Sequence, residues 1–182
     1  IFLKRLMANT SEEGLRARVG FVLAEILHGD LENSADALAV LESTQSADDN
    51  TFAGLVLRSD IHEALGNEDQ LEQVLTSLSN IATTDEQSAH AMFKLARFAE
   101  HKQDTDTARS LYESALEKEP EHTGVIRNLA LLYLSQEKYV DAEPLLSVLV
   151  ATLSERPDAT AALSEAYGLL GATARHLLDP TS

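Results

Sequence analysis

Cysteine is absent from the 182 residues, which excludes a disulfide framework, a zinc–thiolate site and a thiol nucleophile. Basic residues are few. Fourteen Lys and Arg stand against 30 Asp and Glu, a formal net charge of −16, so a phosphate backbone or an anionic membrane surface is repelled and nucleic acid is not an expected partner. Long apolar runs are missing too: Ile1–Ala8 is apolar but far below the ~20 residues that span a bilayer, and Lys4 and Arg5 interrupt it as a signal-peptide core. Membrane insertion is not expected. No Pro/Ser-rich or low-complexity linker breaks the chain, and residues 1–50, 51–100 and 101–150 carry net charges of −5, −5 and −4. With 44% apolar residues to build a core, one continuous domain over 1–182 is expected.

Alternating β patterns are also lacking. Apolar residues recur at spacings of three and four almost throughout, so the expected fold class is all-α. A longer period is superimposed. Met92, Leu95, Ala96, Ala99, Ala108, Tyr112 and Ala115 precede Ile126, Leu129, Ala130, Tyr133, Ala142, Leu146 and Leu149 by 34 residues in every pair. Ser59, Leu71, Leu75 and Leu78 precede Ala96, Ala108, Tyr112 and Ala115 by a constant 37, the added length falling in the polar stretch 80–87. Leu163 and Tyr167 follow Leu129 and Tyr133 by 34 again. Each unit reads as two helices: the first carries a Leu, a small residue and then a bulky one, and the second carries an Ala followed by large apolar residues along one stripe. Polar turns such as Gly66-Asn67-Glu68-Asp69 and Lys102-Gln103-Asp104 separate the two, and Pro120 follows one second helix as a stop. A hairpin this short cannot bury its stripe alone, so stacking on neighbours must complete the core.

This pattern resembles the tetratricopeptide repeat family, whose unit is a 34-residue helix-turn-helix. The resemblance is specific over 89–154 and extends to 52–88. It implies a right-handed α-solenoid of antiparallel hairpins, with repeats at about 17–51, 52–88, 89–122 and 123–156 and a partial terminal repeat at 157–182. Residues 1–10 read as the end of an upstream helix, so the segment is expected to be part of a larger protein.

The resemblance further implies that the first helices of the hairpins line a concave groove. Their residues outside the packing stripe are Phe21, Val22, Glu25, Val56, Leu57, Asp60, Phe93, Lys94, Arg97, His101, Arg127, Asn128, Leu131 and Glu165. Lys94, Arg97 and Arg127 make the centre basic on an acidic chain, and the local field rather than the net charge steers a ligand. Phe93 and Leu131 would supply apolar anchors. The expected peptide-binding residues are therefore Phe93, Lys94, Arg97, Arg127, Asn128 and Leu131; solvated pairing of Lys94 or Arg97 with Asp60, Glu63 or Glu100 is the alternative reading. The family's carboxylate clamp is not expected. Asn128 stands where a clamp Asn belongs, but Phe93, Asp158 and Ala162 occupy the places of its cations.

No motif of a reaction centre is complete in the sequence. His62-Glu63 lacks the second His of a zinc protease, Asp104-Thr105-Asp106 lacks the Gly and Glu of a calcium loop, and Gly168 and Gly171 read as packing glycines rather than a phosphate loop. His90, Lys94 and His101 form the one cluster among six scattered histidines, and Asn9-Thr10-Ser11 reads as a helix cap before a glycosylation site. The expectation is a non-catalytic scaffold with no metal and no cofactor, binding a protein or peptide in its groove. Two alternatives remain open: self-association through the Ile1, Phe2, Leu3, Leu6 and Met7 stripe, or an accessory domain of an enzyme whose catalytic part lies elsewhere.

Overall fold

The computed structural model describes residues 12–44 and 50–178. The Ile1–Met7 stripe, the expected upstream helix end and Asn9-Thr10-Ser11 lie outside them. Among the described residues there are nine helices and no strand: α1 (Glu13–Gly29), α2 (Ser34–Thr44), α3 (Phe52–Leu65), α4 (Glu68–Ile81), α5 (Asp85–His101), α6 (Thr105–Lys118), α7 (Thr123–Ser135), α8 (Tyr139–Ser154) and α9 (Thr160–Leu178). None is long and apolar enough to cross a membrane. The chain groups into two compact units that divide between Ala82 and Thr83. In the first unit α1 pairs with α2 and α3 with α4; in the second α5 pairs with α6, α7 with α8, and α9 packs on α8.

Polar side chains start these helices by taking up N–H groups that no helical carbonyl can reach. Asn33 Oδ1 accepts from Asp36 N at 3.1 Å before α2, Thr51 Oγ1 from Gly54 N at 3.2 Å before α3, and Thr84 Oγ1 from Gln87 N at 3.1 Å before α5. Asp104 Oδ1 caps α6 through Thr107 N at 3.2 Å. The expected calcium-like Asp104 is thus a helix cap, and Asp106 pairs with Arg109 at 3.1 Å. His122 Nδ1 caps α7 through Val125 N at 3.2 Å.

Inside each hairpin the chain reverses through one left-handed residue: Glu32 (φ 49°), Gly66 (φ 68°), Gln103 (φ 62°) and Glu137 (φ 58°). Their spacings are 34, 37 and 34, the period of the apolar pattern. Only Gly66 adopts this conformation without a steric penalty, because it has no Cβ.

Three buried clusters follow the hairpins, each drawn from three consecutive helices. Leu23, Ala24, Leu27, Ala37, Leu41 and Ile61 join α1, α2 and α3. Ala96, Ala108, Tyr112, Ala115, Val125 and Leu129 join α5, α6 and α7; Ile126, Ala130, Leu146, Leu149, Leu153 and Ala166 join α7, α8 and α9. The periodic small residues Ala96, Ala108, Ala130 and Ala142 are all 0% exposed, and Ser59, which stands where Ala96 recurs, is equally covered. Small side chains at these covered positions let the helices pack closely. In the first unit Gly20 serves the same purpose, since a Cβ there would lie 2.5 Å from Thr44 Cγ2.

The last segment differs from its periodic expectation. His176 stands where the period predicts a small residue, and its ring stacks on Tyr139 at 4.5 Å with 9° between planes. Tyr167 is 55% exposed. Gly168 and Gly171 are not packing glycines: open space surrounds the place of a Cβ at both.

His62, whose ring nitrogen lies 3.4 Å from Asn67 Nδ2, is buried near the end of α3. Burial, and then the Arg58 charge, hold its imidazole below the usual histidine range, while Glu42 pulls the other way. Folding thus favours the neutral ring. Stability from this group is full above its unfolded value of 6.5 and is lost as pH falls through the lowered native value. Urea unfolding followed by circular dichroism between pH 7 and pH 5 is expected to show a decline with pH that is shallower in His62→Gln, by up to ~1.4 kcal/mol per pH unit. Identical slopes in the two proteins would remove His62 as the cause.

Candidate functional site

In the second unit, side-chain contacts link α5 to the start of α7 and α7 to α9. Phe93 on α5 reaches the start of α7, where a Cβ on Gly124 would lie 3.2 Å from its Cζ and the His122 ring is 5.1 Å away. Arg127 on α7 reaches Glu165 on α9, Nη2 to Oε1, at 2.6 Å. These contacts tie the three first-position helices into one strip.

Five of the six expected site residues hold side chains that solvent reaches. Arg97 is exposed, its guanidinium 5.9 Å from the centre of the Phe93 ring. Phe93, Arg127, Asn128 and Leu131 are half-buried. Lys94 is 7% exposed, so it offers a ligand little surface. Arg127 is also less available than a lone cation, because Glu165, which the sequence places on the same face, neutralises it. Both partners of that pair are more than two-fifths exposed, so it is worth ~0–1 kcal/mol and exchanges readily.

Beneath the strip lies a polar relay that periodicity alone does not reveal. The Tyr112 hydroxyl donates to a Glu100 carboxylate oxygen, and Asn128 Nδ2 donates to the Tyr112 oxygen at 3.2 Å. The three groups come from α5, α6 and α7. Burial first, and then the bond to Glu100, raise the Tyr112 phenol above its usual range, while Asn128 and Arg97 oppose the shift. Tyr112 is read from the sequence only as a core position; its hydroxyl orients Asn128, a groove residue. Rings of Phe93, His90, His122 and Tyr112 cluster over the relay at centroid separations of 5.1–6.5 Å. Of the expected histidine cluster, His90 joins these rings, whereas His101 is exposed at the end of α5. A small cavity of about 130 Å³ opens beside the Arg127–Glu165 pair, floored by Leu149, Leu153 and Leu169. Among the described residues, no three His, Cys, Asp or Glu side chains are grouped to hold a metal ion.

The hairpin geometry and the buried alanine seam agree with comparison to known proteins. Residues 99–166 match the profile of the family described as tetratricopeptide repeat. That segment is built of tetratricopeptide repeats. No curated protein matches the chain significantly. A solved structure described as the crystal structure of BtubC (BKLC) from P. vanneervenii is similar over 98% of this chain and 80% of its own, with a TM-score of 0.67 and 20% identity. At that identity the likeness concerns the fold, a helical-repeat solenoid. Tetratricopeptide repeats in general mediate protein–protein interaction, which directs attention to the α5–α7–α9 strip.

Proposed function

We propose that the chain is a non-catalytic scaffold whose strip along α5, α7 and α9 binds an extended segment of a partner protein. It is read here as a single repeat domain with units at about 17–51, 52–88, 89–122 and 123–156. One observation supports the reading above others: Arg97 and Arg127, the solvent-reached cations of the strip, flank Phe93 and Asn128 on adjacent first-position helices. An acidic side chain or carboxylate of the ligand pairs with either guanidinium by exchange with the contacts each already makes, Glu165 in the case of Arg127. Asn128 has one N–H committed to Tyr112, and its carbonyl oxygen and second N–H suit a peptide backbone. Phe93 and Leu131 take an apolar side chain.

The test uses Arg97→Glu with Arg127→Glu, which spares the buried Lys94. Affinity capture from native extract with the wild-type chain as bait is expected to retain a partner that the double variant loses by about tenfold or more, at unchanged helix content by circular dichroism. Equal capture by both baits would overturn the assignment of this face.

A further inference from the structure

Also in the second unit, a trough runs between α6 and α8, with α7 at its base. Its volume is about 460 Å³, and Leu116, Leu129, Tyr133, Val140, Pro144 and Leu145 give it an apolar lining. Val140 is 73% exposed there, an unusual position for a branched aliphatic side chain. The polar groups of the lining are all hydrogen-bond acceptors except for the Tyr133 hydroxyl, and that is committed. It donates to Glu113 at 2.8 Å, and burial first, then this bond, raise its phenol to about 12. Glu113 also has Arg109 at 4.0 Å, and Arg109 bonds Asp106 at 3.1 Å. Lys138 lies over the outer face of the Tyr133 ring, 5.9 Å from its centre. Glu117 and Asp141 remain on opposite walls, both exposed. Pro144 adds a third acceptor. It sits inside α8 and has no N–H, so the Val140 carbonyl lacks its helical donor at the trough.

We infer that this trough is a second docking surface, distinct from the α5–α7–α9 strip, and that it takes a partner segment in which Arg or Lys flanks a Leu- or Val-sized side chain. The apolar residue covers Val140 and Leu145; the cations meet Glu117, Asp141 and the Val140 carbonyl. Acidic and neutral segments bring no cation to these carboxylates. Because the α7 residues used here, Leu129 and Tyr133, are not those of the strip, the two surfaces can be occupied together.

Fluorescence anisotropy with a labelled peptide alternating Arg and Leu tests the idea on the whole chain. Glu117→Gln with Asp141→Asn, and separately Val140→Lys, are each expected to weaken binding by about tenfold. Asp69→Asn with Glu72→Gln, two exposed acids on α4, removes the same charge and is expected to leave affinity within about twofold. A peptide alternating Arg and Ser is expected to bind at least about tenfold more weakly than the Arg–Leu probe. Equal losses in the two charge-neutralised variants would reduce the effect to net charge and overturn the site, as would indifference to Val140→Lys. Displacement of the probe by unlabelled chain, with a dimer in sedimentation, would replace the partner segment by a second copy and overturn the assignment of occupant.

Discussion

Replacing Tyr112 by Ala is expected to destabilise the second unit by about 3–5 kcal/mol, the range for deleting a buried aromatic ring. Tyr112 is 0% exposed and packs among Ala96, Ala108, Val125 and Leu129 from three helices, with Phe93 at 6.2 Å. Tyr112→Phe separates the ring from its hydroxyl. It keeps the packing and leaves Glu100 and Asn128 without their shared partner, at a cost of about 1–3 kcal/mol. Urea unfolding monitored by circular dichroism measures both, and the prediction fails if the two variants are equally stable. The Phe variant also carries information about function. Since the hydroxyl positions Asn128, partner capture by the groove should weaken in Tyr112→Phe even where the unit stays folded.

Ala130→Leu is the second large effect. Ala130 is fully covered in the cluster of Ile126, Leu146, Leu149, Leu153 and Ala166, and it repeats Ala96 one period on. A Leu at this point has no open space to enter, because Ala130 is fully covered by that cluster. Overpacking of this kind costs about 1–3 kcal/mol, occasionally more. At a urea dependence of ~1–3 kcal/mol per molar, the midpoint should fall by roughly 1 M. Ala151→Leu, on the exposed side of α8, is the matched control and should stay within about 0.5 kcal/mol of wild type. Tolerance of Leu at position 130 equal to that at 151 would show that the small-residue seam does not set the spacing of α7 against its neighbours.

How far these properties are legible in the sequence depends on the kind of force involved. Burial is written in the sequence as periodicity, so the seam of Ala96, Ala108, Ala130 and Ala142 can be read directly, and so can Leu71, Leu75 and Leu78. Longer reach is not. Nothing local indicates that Lys94 turns inward while Arg97, three residues on, stays outside, because the difference lies in which neighbouring helix covers each one. The Arg127–Glu165 pair spans 38 residues, and the Glu100–Tyr112–Asn128 relay joins three helices; neither has a spacing rule. The α6–α8 trough escapes for a further reason. Its key element, Pro144 inside a helix, contradicts the ordinary expectation that proline ends one. His176 breaks the small-residue rule for an equally nonlocal cause, its stacking on Tyr139.

At Glu32, Gln103 and Glu137 the reversal is held by side chains that disfavour it, so each bend is dictated by the helices it joins and not by its own composition. Substitutions can accumulate at those bends while the alanine ladder stays intact. Two chains of this type can lose all likeness along their loops and still superimpose, and a relative is better sought through the rungs of that ladder than through its corners.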